Sequence, residues 1–247
     1  MEKKENEVVD YYDSIAANYD DSRFGNSYGH FIDAEERRVL NQLIDVEAEE
    51  LRLDMACGTG RLTNYATHGL DASAEMMKLA IDRHPSVSFT QASACETGFP
   101  DNHFDVVYTF HLLMHLDKQT VKEVFNEVYR ILKPGGRFIM DIPSEKRRRL
   151  FHHKQTSWHG GTQMSLEEIR RMTKDIKAGH KNADGEIGHF TLNRSFGILM
   201  LPLHRLPTSI RKPLLRLDYS MANGWMKEYS SYLICELVKE GAVHPHI

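Results

Sequence analysis

An apolar run, Leu51 to Met55, breaks into five small residues: Ala56, Cys57, Gly58, Thr59 and Gly60. Residues this small let a backbone turn sharply and approach a ligand closely, and a helix starting there would offer it free N–H groups. In an open α/β sheet, ligands bind at such turns, beyond the carboxyl ends of the strands. Tight turns need glycine anyway, so the loop alone decides little. No Lys-Ser/Thr follows the glycines, which disfavours a phosphate-gripping loop. Thr63 stands where a dinucleotide fingerprint needs its third glycine. Asp71 comes eleven residues after Gly60, and a carboxylate at the end of a second strand can accept bonds from two hydroxyls. His111 follows another apolar run, 104–110. It is the first candidate for a general base and His115 the second, although a histidine beside a cleft is often structural. His152, His153 and His159 lie near Lys146, Arg147, Arg148, Arg149 and Lys154. That cluster reads either as a grip for a carboxylate or phosphate or as a solvated loop.

Alternating elements must position these groups. Residues 6–20 and 28–44 read as helices, with Tyr11, Ile15 and Tyr19 on one face. Strands are expected at 51–55, 87–91, 104–110 and 137–142, with a helix at 73–83. A helix at 120–132 carries a Thr120–Glu123 capping-box pattern and stops at Pro134-Gly135-Gly136. Beyond Pro143 come a helix over 165–177 opened by Ser165 and Glu168, a strand within 189–201, a basic amphipathic stretch at 209–221 and a strand at 229–238. The expected fold is α/β: a doubly wound, mostly parallel sheet with an antiparallel last strand, in three αβα layers, with a cap insertion. The expected division is a helical cover at 1–44, a cofactor-binding core at 45–143, a cap at 144–225 and the final strand at 226–247.

Composition narrows the class. The 247 residues have a net charge of -4. Residues 1–143 carry 14 Lys+Arg against 25 Asp+Glu, whereas residues 144–220 carry 15 against 7. The basic segment either meets an anion or is simply a solvated surface. The charged N-terminus has no apolar h-region, and the longest apolar stretch, Gly197 to Leu203, is too short to span a bilayer. Cys57, Cys95 and Cys235 are scattered without CxxC spacing, which fits a reduced cytoplasmic compartment and argues against a zinc site or a disulfide framework.

Several motifs, in order, resemble the class I (Rossmann-like) S-adenosylmethionine-dependent methyltransferases of small-molecule type. The resemblance covers roughly residues 8–142 and the last strand. "LDMACGTGR" resembles the family's first motif, with Ala56 where its first glycine commonly stands. "GLDASAEMM" resembles the segment whose acid holds the ribose hydroxyls, which maps to Asp71 and Ala72, with Met76 beside the adenine. "FPDNHFDVVYTFHLLMHL", which contains Phe110, resembles the fourth-strand segment, and "ILKPGGRFIMDIP" the turn into the fifth. The opening "YYDSIAANYDDSR" is similar to helices that close over the cofactor. There Tyr11, Tyr19 and Arg23 either meet the methionine carboxylate or pack on the core. Asp54 either favours the cationic amino group or caps nearby backbone N–H groups. Cys57, Gly58 and Gly60 complete the loop.

Two departures stand out. A fingerprint acid is expected about 20 residues beyond the turn, yet Asp71 comes far sooner. A helix over Arg61–Thr67 would be only ~10 Å long against a strand of ~17 Å, so either this crossover is unusually cut down or, the favoured reading, residues are absent between about Asn64 and Gly69. At the third strand, "QASA" replaces the family's frequent "GDA", leaving Ser93 and the N–H of Ala94 to meet the adenine.

The resemblance implies methyl transfer from S-adenosylmethionine to a small-molecule acceptor, at oxygen or nitrogen, with a carboxylate- or phosphate-bearing acceptor one option. The absence of an Asn/Asp-Pro-Pro-Tyr turn argues against DNA adenine or glutamine as the target, and no nucleic-acid module is visible. The stretch 207–221 reads as a lid helix or as a peripheral contact with an anionic membrane. The competing readings are a nicotinamide-dependent oxidoreductase and a non-catalytic S-adenosylmethionine-binding module.

Overall fold

A computed structural model describes residues 2–152, 161–174, 176–177 and 187–241; for residues 2–7, 177, 187, 208 and 212 it describes the backbone alone. The fold is of the expected α/β class: a seven-stranded, mostly parallel sheet with antiparallel last strands, flanked by helices. The chain forms two compact units, Met1–Gly98 and Phe99–Ile247.

The first unit contains α1 (Glu2–Ile15), α2 (Tyr19–Phe24), α3 (Ser27–Leu43), β1 (Arg52–Met55), β2 (His68–Asp71), α4 (Ala74–Arg83) and β3 (Ser88–Gln91). Its strands are parallel, in the order β3-β2-β1, with Asp54 opposite Gly69 and Gly69 opposite Phe89. A Cβ at Gly69 would lie 2.4 Å from the Phe89 ring, so any larger residue there would have to displace that ring. All four residues of β1 are buried, as the apolar run predicts.

The crossover from β1 to β2 corrects one expectation. Residues 61–67 form no α-helix, and the chain passes through them in hydrogen-bonded turns. Thr63–Tyr65 is one turn of 3-10 helix, closed by Thr63 N–H to Gly60 O (3.3 Å) and Ala66 N–H to Thr63 O (3.0 Å). Helix α3 does the covering that a crossover helix would do. Arg37 donates to Arg61 O (2.5 Å) and Asn64 Oδ1 (2.9 Å), and the Tyr65 hydroxyl donates to Asn41 (2.9 Å). Buried Arg52 fixes the turn from the other side. Its guanidinium donates to the carbonyls of Tyr65 (2.9 Å), Ala48 (2.8 Å) and Val46 (3.1 Å). Arg52→Met keeps the stem and strands those carbonyls, so it is expected to cost about 3 kcal/mol and lower Tm by about 6–12 °C. Thermal unfolding followed by circular dichroism checks this; a shift under 2 °C would show that the crossover stands without it.

The second unit contains β4 (Phe104–Thr109), α5 (Lys118–Ile131), β5 (Leu132–Pro143), α6 (Glu145–Leu150), α7 (Leu166–Met172), β6 (Ile176–Lys177), β7 (Ile187–Gly188), β8 (Phe190–Ile198), α8 (Thr208–Asn223) and β9 (Tyr232–Lys239). The order is β4-β5-β9-β8, with β9 antiparallel to both neighbours; β6 and β7 pair separately. Part of the expected cap therefore belongs to the sheet, where β8 pairs with β9. Helix α5 buries Val121, Val124, Phe125, Val128 and Ile131, the face its spacing predicts. Its cap is Asp117, which accepts Thr120 N–H (2.9 Å), so the helix starts before the expected Thr120–Glu123 box. Helix α7 is capped by Ser165 as expected (Glu168 N–H, 3.2 Å), but it ends at Met172 rather than 177.

Candidate cofactor site and histidine centre

The loop after β1 holds three alternate residues in the left-handed region: Ala56 (φ 58°), Gly58 (φ 54°) and Gly60 (φ 80°). Ala56 bears about 1–2 kcal/mol of strain there that glycine would not. Gly60 also needs its lack of a side chain, since a Cβ would lie 2.9 Å from His84 and 3.1 Å from Ala80 Cα. At Gly58 a Cβ would meet nothing within 4 Å, so that edge of the loop is open.

Asp71 closes the loop from below. One carboxylate oxygen accepts Gly58 N–H (2.7 Å) and the other Ser73 N–H (2.9 Å). Burial pushes the carboxyl above the usual carboxylate range, and the N–H groups of Ser73, Gly58 and Ala72 oppose that rise. Ser73 caps α4 (Met76 N–H, 3.1 Å), and Met76 is buried behind it.

The N-terminal helices dock onto this loop through two carboxylates that sequence reading missed. Asp13 accepts Ser73 Oγ–H (2.5 Å) and Glu75 N–H (3.2 Å), beside the cap of α4. Asp20 accepts the Thr59 hydroxyl (2.7 Å) and pairs with Arg83 (2.7 Å). Between them runs an aromatic row: Tyr11–Tyr12 (5.3 Å), Tyr12–Tyr19 (5.9 Å) and Tyr19–Phe24 (6.2 Å). Arg23 reaches the Tyr11 hydroxyl (3.5 Å). Burial raises the phenols of Tyr12 and Tyr19, so both stay protonated. Arg61 anchors α3 through Asp33 (2.6 Å) and Glu36 (2.8 Å), with its guanidinium 4.0 Å from the Phe24 ring centre.

Of the other expected residues in this unit, Asp54 is buried and accepts the Thr63 hydroxyl (2.7 Å), which ties β1 to the short crossover. Ser93 Oγ accepts Cys95 N–H (3.2 Å) in the turn after β3, next to Ala94. The Cys57 N–H donates to Leu70 O (2.9 Å), joining the loop to β2, and burial raises its thiol well above the usual value.

In the second unit, buried Phe110 ends the β4 segment and His111 follows in the left-handed region (φ 60°). The His111 N–H donates to Asp141 Oδ1 (2.7 Å), and its Nδ1 lies 3.6 Å from Asp141 Oδ2, which is beyond a hydrogen bond but within ion-pair reach. The ring meets Tyr232 edge-on at 5.9 Å. Asp141, in β5, is buried. It is a second group that sequence reading missed, because an acid inside an apolar strand carries no motif. His115 closes the 3-10 turn Leu113–His115.

The basic cluster is largely engaged within the protein. Lys146 pairs with Glu228, Arg147 donates to Met200 O (2.9 Å) and Tyr229 O (2.8 Å), and Arg149 lies 3.6 Å from Glu145. His152 is exposed; His153, Lys154 and His159 lie outside the described residues.

Residues 53–140 match the family model described as a methyltransferase domain. Residues 53–140 thus resemble a methyltransferase domain. The domain is 31% identical over 146 residues to a demethylmenaquinone methyltransferase of Streptomyces griseus subsp. griseus, covering 57% of this chain and 62% of that protein. It is 29% identical over 128 residues to a phosphoethanolamine N-methyltransferase of Triticum aestivum, covering 47% and 25%. The chain thus spans less than two thirds of these relatives' lengths. Among solved structures, it resembles a phosphoethanolamine N-methyltransferase of Haemonchus contortus in complex with phosphoethanolamine and S-adenosylhomocysteine (TM-score 0.62, 15% identity, 96% of this chain and 50% of that one). It also resembles a SAM-dependent methyltransferase of Thermotoga maritima (TM-score 0.61, 19% identity, 85% and 90%). The matched residues include the loop, Asp71 and His111, and end one residue before Asp141.

Proposed function

We propose that the protein transfers a methyl group from S-adenosylmethionine to a small-molecule acceptor. The observation that carries this reading is the left-handed loop with its open edge at Gly58, braced by the Asp71 carboxylate beneath it. The residues fit the cofactor. Asp71 would take the ribose hydroxyls, Ala72 and Met76 would line the adenine with Ser93 and Ala94, and the Ala56–Gly60 backbone would support the methionine part. Arg23 and the phenols of Tyr11 and Tyr19 would meet the methionine carboxylate, with Phe110 a further lining residue. Asp54 serves the crossover through the Thr63 hydroxyl, a side-chain tie distinct from both roles expected of it.

S-adenosylmethionine supplies a methyl group activated on a sulfonium, so this chain need only align, exclude water and move a proton. His111 is the proposed base. With Nδ1 turned toward Asp141, Nε2 is the atom to receive a proton from the acceptor. Asp141 positions the ring through both the backbone N–H and Nδ1. His115 is the second candidate.

A base suits an acceptor that must lose a proton, in keeping with methylation at oxygen or nitrogen. The name of the Triticum aestivum relative favours nitrogen. The name of a relative from Pseudomonas fluorescens, a ubiquinone/menaquinone biosynthesis C-methyltransferase, favours carbon as the second reading. The relatives named above are methyltransferases, which favours methyl transfer over the oxidoreductase alternative. A reducing compartment such as the cytoplasm accords with three free thiols. Among the described residues no helix is long and apolar enough to cross a membrane. The test is a label-transfer assay with methyl-labelled S-adenosylmethionine across phenols, amines, carboxylates, phosphoethanolamine and a demethylmenaquinone. Label in one acceptor class supports the proposal and assigns the atom. Cofactor binding with no transfer to any class favours a non-catalytic module.

A further inference from the structure

Helix α8 is anchored to the second unit through its inner face. Its inner face carries buried Asp218, which accepts Leu201 N–H (2.6 Å), and buried Ala222. The helix lies directly on β8 at Gly197, where a Cβ would come within 2.7 Å of Ala222 O. Another face carries Ile210, Pro213 and Leu217, three and four residues apart and thus neighbours along the helix. Ile210 and Leu217 are each 51% exposed, and Trp225, just past the helix end, is 86% exposed. An indole this bare is costly to leave in water.

The charge around these apolar groups has one sign. Residues 199–225 contain Arg205, Arg211, Lys212 and Arg216 against a single acid, Asp218, and that acid is buried. Arg216 lies on the exposed side of α8. Arg211 is held against the preceding loop through the carbonyls of His204 (3.3 Å) and Leu206 (3.0 Å). The neighbouring helix α6 ends in exposed Leu150 and Phe151 and is tied by Arg147 to Tyr229 O, in the turn that follows Trp225.

We propose that the outer face of α8, with Trp225, docks on the surface of an anionic lipid bilayer. Aliphatic groups beside arginines on one helix, with a tryptophan at its end, match what a headgroup interface accepts: the apolar side chains enter the acyl boundary, the indole sits at headgroup level and the cations meet lipid phosphates. A nucleic acid would use the cations and leave the aliphatic groups in water. A second copy docking face to face would set these arginines against each other. The chain's overall charge of -4 opposes non-specific attraction to an anionic surface, so docking must come from this local face. The proposal concerns binding alone and holds whichever acceptor is methylated.

The chain has two tryptophans, Trp158 and Trp225, so Trp158→Phe leaves Trp225 as the only indole reporter. Vesicles of phosphatidylcholine with about one third phosphatidylglycerol should shift its emission to the blue and sediment the protein, whereas pure phosphatidylcholine should do neither. Raising the salt to 0.5 M should reverse the effect. In the native background, Trp225→Ala should reduce partitioning about tenfold and Arg216→Ala about fivefold, corresponding to the loss of one buried aromatic and one surface cation. Both side chains are exposed, and unchanged unfolding temperature and S-adenosylhomocysteine affinity confirm folded variants. Equal binding to both vesicle types overturns the proposal, as does no binding to either. So does a dimer detected by light scattering that Trp225→Ala dissolves, which would assign this face to a second copy.

Discussion

His111→Gln is expected to lower kcat by roughly 100- to 10,000-fold, the usual contribution of a positioned general base, while the affinity for S-adenosylhomocysteine stays within twofold. The separation follows from the structure. His111 is held by Asp141 through its own N–H (2.7 Å), and the loop proposed to seat the nucleoside is braced by Asp71. Glutamine retains a polar side chain of similar length but cannot take up a proton at neutral pH. Asp141→Asn keeps an oxygen for the His111 N–H and removes the charge beside Nδ1, so it should cost about tenfold in kcat. Methyl transfer at wild-type rate by His111→Gln, with the acceptor identified in the label assay, would remove His111 from the chemistry and leave it as a strained turn residue (φ 60°).

Asp71→Asn should weaken S-adenosylhomocysteine binding by roughly 10- to 100-fold, since hydrogen bonds to a charged group contribute about 1.5–3 kcal/mol. Asparagine still offers one oxygen to the Gly58 N–H, so the loop should keep its shape. The sign of the pH effect separates affinity from stability. Burial holds the folded-state carboxyl above its unfolded value. The folded protein therefore gains stability relative to the unfolded chain as pH falls through that raised value, and the burial cost is fully present above it. Cofactor affinity moves the other way: protonation removes an acceptor, so binding should weaken as pH falls through the same value. In Asp71→Asn this dependence should flatten, with unfolding temperature at neutral pH equal to or above that of the native chain. Titration calorimetry at several pH values reads both. Unchanged affinity in Asp71→Asn would mean that the nucleoside sits elsewhere.

The parts of the fold legible in the sequence are those governed by short-range pattern. The buried run of β1, the small-residue turn, the amphipathic α5 and the glycine stop before β5 each follow from spacing within a dozen residues. The β1–β2 crossover was not legible, because its missing helix is replaced by α3, through Arg37 and Asn41, more than 20 residues earlier in the chain. Arg52 was unreadable for a related reason: a lone arginine opening a strand looks like a surface residue, and only folding brings the carbonyls of Val46, Ala48 and Tyr65 around it. Asp13 and Asp20 read as polar positions on a surface helix, yet both bind the loop side, at Ser73 and Thr59. A signal was available at Asp117, three residues before Thr120, but the Thr120–Glu123 pattern obscured it. Glycines 58 and 60 were legible as a turn; their different reasons, an open edge at one and contact with His84 and Ala80 at the other, appear only in three dimensions.

The most direct test of the cofactor seat is calorimetric titration of the purified chain with S-adenosylhomocysteine and, separately, with NAD. The loop and Asp71 predict a single site of micromolar affinity for the first compound and no heat from the second. No association with S-adenosylhomocysteine, or preferential binding of NAD, would contradict the assignment.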